Sequence, residues 1–228
     1  MNIYETDREF MEIFSRFADE VKNEDGQQLP EETRYMAILA ALMGCQGMAE
    51  FREVLPCALK AGLSATAVKE IVYQGVDYLG MGRIRPFLDI VNEVLEELQI
   101  PIPNESRATV TPENRLEKGA ELQAEIFGEH MREAWKNGHI NRWLAANCFG
   151  DFYTRGGLTL AQREMITFCF LMAQSGCEPQ LTAHAKGNMN LGNDREFLIR
   201  VVSQCLPYIG YPRSLNAIAC VNKAADDS

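Results

Sequence analysis

A carboxylate, a thiol and an imidazole stand close together in one stretch of this chain, Arg163 to His184, which reads REMITFCFLMAQSGCEPQLTAH. Glu164, Cys177 and His184 are the candidates for catalysis. A glutamate and a histidine can pass a proton when their pKa values lie near the working pH. A thiolate beside them would be a nucleophile. The spacing predicts how the three are held. The almost unbroken apolar run after Glu164 reads as a helix buried on all sides, ended by Ser175-Gly176. Glu178-Pro179 opens the next helix, because proline is tolerated at the first helical position. Cys177 then precedes a helix N-terminus, where the backbone N–H groups and the dipole are expected to lower its pKa. His184 follows two turns later, roughly on the same face. A buried Glu164 needs a partner, and His184 or Cys177 can serve if the two helices pack antiparallel. Arg163, Lys186 and Arg213 are the basic candidates for holding a substrate carboxylate, and the sequence does not choose among them. A plainer reading stands beside this one, since a helix-start cysteine is often a small core residue. The three side chains suit zinc by type, but their spacing is unusual for it, so no metal is expected.

The elements that must position these residues are all helical by periodicity. Residues 4–22 carry Phe10, Ile13, Phe14, Phe17 and Val21 at helical spacing. Helices are expected over 33–43, 48–61, 65–78 and 85–98. Gly62 serves as a C-terminal stop and Ser64 as an N-cap. Residues 99–113, QIPIPNESRATVTPE, are rich in proline and poor in period and read as a linker. A long amphipathic helix over 115–136, another over 141–153, the buried helix, the His184 helix, 193–206 and 214–224 complete the chain. No stretch alternates with period two, so no strand is expected.

Shifting the sequence by 130 lays GLSATAVKEIVYQGVDYLGMGRIRPFLDIVN over GNDREFLIRVVSQCLPYIGYPRSLNAIACVN without a gap. Gly62, Val72, Gln74, Tyr78, Gly80, Arg83, Val91 and Asn92 then meet identical residues, which indicates duplication. The expected organisation is all-α: a degenerate N-terminal repeat over 1–98, the linker 99–113, and a C-terminal repeat over 114–228 carrying the site, paired about a pseudo-two-fold axis. In this register Glu164 falls on Arg34, Cys177 on Gly47 and His184 on Val54, so the polar set is absent from the first half. The apolar stretches 35–43 and 165–173 exceed what one small bundle can cover, and burial between subunits is expected.

Composition sets the outer bounds. The chain of 228 residues is 46% hydrophobic and 24% charged, with a net charge of −10, as in an ordinary soluble protein. That charge argues against nucleic acid or an anionic membrane as partner. The start, MNIYETDREF, does not resemble a signal peptide, and no apolar run reaches the ~18 residues a membrane helix needs. Seven cysteines, an odd number without a CxxC pair, point to reduced thiols and a cytoplasmic protein.

With these residues in view, the chain resembles the carboxymuconolactone decarboxylase family, which includes the alkylhydroperoxidase D-like proteins. The resemblance is carried by Phe149 to Tyr153, Leu158 to Ile166, Gly176 to Leu181, His184, Asn190 to Gly192 and Tyr208 to Pro212. In the first half it rests on Leu29 to Arg34 and Ala61 to Ser64. The resemblance implies an all-helical fold, cofactor-free chemistry on a small molecule, and a homo-oligomer, here a trimer of pseudo-hexameric shape. It implies a relay role for Glu164 and His184 and matches Cys177 to the first cysteine of the peroxidase branch. The second cysteine of that branch falls on Gln180. The authentic decarboxylases often lack the first. Three functions follow as expectations. One is decarboxylation of a small carboxylated lactone or keto acid through Glu164 and His184. Another is peroxide reduction by Cys177, resolved by an external thiol or by Cys169 or Cys205. The last is a non-enzymatic assembly role.

Overall fold

Helical periodicity and glycine punctuation account for most of the chain. The structure is a computed structural model that describes residues 3–226, and it contains no strand among them. A single turn α1 (Ile3–Thr6) leads into α2 (Arg8–Asn23), α3 (Glu31–Gly44), α4 (Met48–Lys60), α5 (Ala65–Leu79) and α6 (Met81–Glu97). Residues 98–114 hold no regular helix. After them come α7 (Arg115–Phe127), two short 3₁₀ turns, α8 (His139–Trp143) and a π-helical stretch (Leu144–Tyr153). The chain finishes with α9 (Leu160–Gln174), α10 (Glu178–Asn190), α11 (Arg195–Ile209) and α12 (Tyr211–Asp226). No helix among the described residues is long and apolar enough to cross a membrane.

The expected helix over 115–136 stops nine residues short, at Phe127. Gly128 takes φ +105° and its N–H closes the last turn on the Ala124 carbonyl, so the chain leaves the helix there. Gly138, at φ +133°, starts α8 in the same way. At the other boundary, the helix expected from Arg85 begins at Met81, directly after Gly80 at φ +77°, and accommodates Pro86 near its start. Ser64 caps α5 by accepting from the Ala67 N–H at 3.1 Å. Asp194 caps α11 by accepting from the Phe197 N–H at 2.7 Å.

The core sits where α3 and α9 pack against each other. All residues from Arg163 to Ala173 and from Met36 to Gly44 are buried. Gly44 makes the contact possible: a Cβ there would lie 2.7 Å from the Ala173 Cβ and from the Phe170 carbonyl. The pairing crosses the chain, with α5 packed on α9 and α11 packed on α3. Two long-range contacts mark it. Arg34 Nε donates to Gln204 Oε1 at 3.0 Å, and Arg163 Nη1 donates to Gln74 Oε1 at 2.8 Å. One apolar cluster therefore runs through both halves of the chain. The apolar stretches 35–43 and 165–173, expected to need cover from another subunit, cover each other within a single chain. A helix apolar on all sides needs neighbours on all sides, and the other half of the same chain supplies them.

A smaller cluster of Ile126, Cys148, Phe149 and Tyr153 lies between α7 and the π-helical stretch. Their backbones touch. A Cβ on Gly119 would come within 1.8 Å of the Ala145 carbonyl oxygen, and one on Gly150 within 2.3 Å of the Arg115 carbonyl. This contact brings Phe127, Phe149 and Tyr153 up to the N-terminal part of α9, where Glu164 lies.

Candidate functional site

α9 starts with a full capping box. Thr159 Oγ1 accepts from the Gln162 N–H, and Gln162 Oε1 accepts from the Thr159 N–H. This fixes the first turn of α9 and with it Glu164, which is wholly buried. α10 crosses α9 so that His184 Nδ1 lies 2.8 Å from Glu164 Oε2. The backbone is tied at the same point: Asn188 Nδ2 donates to the Glu164 carbonyl at 2.9 Å and to the His184 carbonyl at 2.8 Å. Gly187 leaves room for the carboxylate, since a Cβ there would stand 2.8 Å from Glu164 Oε2.

Counting donors assigns the protons. Arg163 donates to Gln74 Oε1, and Gln74 Nε2 donates to Thr167 Oγ1 at 2.8 Å. The Thr167 hydroxyl must then donate to Tyr153 Oη at 2.7 Å, and Tyr153 donates to Glu164 Oε1 at 2.7 Å. Tyr78 Oη also meets Tyr153 Oη, at 3.0 Å, and receives the Cys148 thiol at 3.5 Å. This run of donors ends at Glu164, whose Oε1 accepts from Tyr153. The carboxylate can only accept, so His184 Nδ1 carries the proton in their hydrogen bond, and Nε2 is the nitrogen left for a ligand. Burial first, and the neighbouring Cys148 and Glu164, push the Tyr78 and Tyr153 phenols well above their ordinary range, so both remain O–H donors. The His184 ring is clamped edge-on by Tyr78 and Phe127, with centroids at 5.6 and 5.2 Å.

His184 forms part of the wall of a cavity of about 570 Å³, a size that suits a small molecule. The rest of the wall is largely apolar, with Phe127, Met131, Leu144, Phe149 and Leu171, and carries His130, Gln123, Gln180 and Lys186. The first half contributes Tyr78 and Asp77 from α5. Asp77 Oδ2 is buried without a hydrogen-bond partner. Burial, with Asp151 nearby, raises the Asp77 carboxyl from 3.8 to about 7, against a smaller opposing pull from Cys148. Among the described residues no group of three or more His, Cys, Asp and Glu is arranged to hold a metal ion.

The structure sorts the residues expected from sequence. It brings Glu164 and His184 together. Cys177 goes elsewhere: it is the N-cap of α10, makes no side-chain capping bond, and its Sγ donates to the Leu171 carbonyl at 3.3 Å. Burial, then the adjacent Glu178 carboxylate, pushes its thiol up rather than down. Here desolvation outweighs the helix dipole, which falls off within one turn. Arg163 is not open to a substrate. It is fully buried and donates to Glu70, Gln74 and the Arg155 carbonyl, and Arg155 shares the same Glu70. Arg213 lies near Cys45, at the C-terminal end of α3, and forms no part of the cavity wall. Of the three basic candidates, Lys186 alone lines the cavity.

Sequence reasoning missed Asp77, Tyr78, Gln74, Tyr153 and Thr167. Two signals were available. Gln74 and Tyr78 recur as Gln204 and Tyr208 under the shift of 130, and Asp77 interrupts an apolar helix face where Pro207 stands in the second half.

A search of curated proteins finds no match to the chain. Residues 139–223 match the model of the Carboxymuconolactone decarboxylase family. That span holds Tyr153, Glu164, Thr167, His184 and Asn188, while α5 and α7 lie outside it. Through residues 139–223, the chain is similar to the carboxymuconolactone decarboxylase family.

Proposed function

We propose that this protein is a cofactor-free acid–base enzyme that decarboxylates a small carboxylated lactone or keto acid. The observation that supports it most is His184, its Nδ1 held by Glu164 at 2.8 Å and its ring at the wall of a cavity of small-molecule size. When the bond to the carboxylate breaks, CO₂ leaves and the electron pair stays on carbon. Protonated His184 delivers the replacing proton from Nε2, and the Glu164 anion stabilises the imidazolium before transfer. Lys186 is positioned at the cavity wall to orient the carboxylate. The thiol reading has less support. Cys177 is engaged with a main-chain carbonyl and its pKa is raised, and the thiolate is the reactive form. Cys169 and Cys205, the distant resolving candidates, are both wholly buried.

The reading includes an architecture: two copies of one helical unit, residues 1–98 and 114–228, joined by 99–113 and related by a pseudo-two-fold axis. The crossed Arg34–Gln204 and Arg163–Gln74 contacts support it. They set Arg34 against Arg163, and so Tyr35 against Glu164, one residue away from the register read in the sequence. The non-glycine positive φ of 61° at both Gln46 and Ser175 fits this second register. The extra residue then falls between Ser175 and Glu178, in the turn that carries Cys177. Three such chains would form a ring of six units, which sedimentation would distinguish from a 25.7 kDa monomer.

The test is CO₂ release from a panel of carboxylated lactones and keto acids. His184→Ala is expected to lower kcat/KM by about 10² or more, the usual contribution of a positioned acid. Cys177→Ser is expected to keep most of the activity. Loss of activity in Cys177→Ser, together with peroxide reduction by the wild type, would overturn the reading in favour of thiol chemistry.

A further inference from the structure

We propose that Asp77, brought to the cavity from the first half on α5, donates a hydrogen bond from its carboxyl to the carbonyl oxygen of a substrate seated against His184. The inference rests on the decarboxylation reading and narrows it to substrates whose carboxylate lies one carbon from a carbonyl. Three observations carry it. Asp77 and His184 line the same cavity although one comes from α5 and the other from α10. Asp77 Oδ2 is buried and meets no hydrogen-bond partner at normal geometry, with the Cys148 thiol its neighbour, which leaves this oxygen open to a ligand. Its surroundings favour the neutral acid on balance: burial and then the Asp151 carboxylate raise its pKa, Cys148 on the π-helical stretch pulls it down by less than burial raises it, and Tyr78 follows it on α5. Across the cavity, His184 and Lys186 on α10 and His130 after α7 complete the charged and titratable lining. With a pKa of about 7, Asp77 holds its proton in part at neutral pH, and a protonated carboxyl is a hydrogen-bond donor.

The step balances. The bond between the carboxylate and its neighbouring carbon breaks, CO₂ departs, and the electron pair flows through that carbon onto the carbonyl oxygen as an enolate. The Asp77 O–H donates to this oxygen where negative charge develops and keeps its proton. His184 Nε2–H then protonates the carbon and is reprotonated by solvent. Substrate carboxylate plus one proton gives product plus CO₂.

The experiment uses a dinitrophenolate, ionised throughout the titration, as a probe of an oxygen anion in the cavity. Wild-type affinity is expected to fall about tenfold between pH ~6 and ~8, as Asp77 loses the donating proton. Asp77→Asn keeps an N–H donor and should bind with no such slope. Carbon NMR on aspartate-labelled wild-type protein should show one carboxyl titrating near 7 that Asp77→Asn removes. The inference is overturned if wild type does not bind the probe at pH ~6, if its affinity does not change with pH, or if Asp77→Asn keeps the wild-type slope. It is also overturned if every carboxyl titrates near the ordinary ~3.9. Turnover by His184→Ala, measured alongside, separates the two claims. Undiminished turnover there defeats the decarboxylase reading and leaves the Asp77 probe result standing. A silent Asp77→Asn beside an inactive His184→Ala defeats the Asp77 inference alone.

Discussion

Replacing Glu164 with glutamine changes the charge and almost nothing else in volume, and it isolates what the buried carboxylate does. In the wild type Oε1 accepts from Tyr153 at 2.7 Å and Oε2 accepts from His184 Nδ1 at 2.8 Å. Glutamine offers one acceptor oxygen and one donor amide. If the oxygen stays with Tyr153, the amide donates to Nδ1, and His184 is held as the neutral Nε2–H form, a far weaker acid than the imidazolium that Glu164 supports. If the oxygen turns to His184, the amide faces a tyrosine whose oxygen already receives two donors. Either way one charge-assisted bond of about 1.5–3 kcal/mol is lost. At 1.36 kcal/mol per decade this corresponds to a fall in kcat/KM of about tenfold to about 150-fold. The assay pairs turnover with nitrogen NMR of the His184 ring, which reports the tautomer directly. Thermal melts guard against a general loss of fold. Wild-type turnover in Glu164→Gln, with the Nδ1 proton unshifted, would refute the reasoning, because the orienting role of the carboxylate would then be nil.

Two further outcomes follow from the same geometry. Gly187→Ala would set a methyl 2.8 Å from Glu164 Oε2 and 2.9 Å from Ile126 Cγ2, so Glu164 must move off His184. Turnover should drop by about tenfold or more with a destabilisation of about 1–3 kcal/mol, the range for overpacking, read by denaturant titration. Stability against pH should reveal Asp77, whose folded carboxyl lies above its ordinary value. The folded state therefore binds this proton more tightly than the unfolded chain. Its contribution is present at low pH and is lost as pH rises from 3.8 towards about 7. Relative to wild type, Asp77→Asn should flatten this part of the curve of Tm against pH; identical curves would exclude the shift.

Much of this protein is legible from local sequence. Apolar residues at helical spacing, Gly62 and Ser64 at a helix junction, and the unbroken apolar run after Glu164 each act within a few residues of themselves. Helix type, caps and the burial of α9 follow from them. That Glu164 needs a partner is also legible, because burying a carboxylate alone is too costly. Which partner it takes is not. The choice of His184 over Cys177 depends on how α10 crosses α9, a matter of packing between helices. The fate of Cys177 was decided in the same way, when burial outweighed the helix terminus. The local run does not reveal that Arg163 would be taken by Glu70 and Gln74, or that Tyr78 and Asp77 would close the cavity from α5. These partners lie far away in sequence, 89 positions in the case of Arg163 and Gln74. Periodicity records which face of a helix is buried, but not what it is buried against. Only the folded core, by bringing α5 onto α9, supplies the neighbours that set the protons at this site.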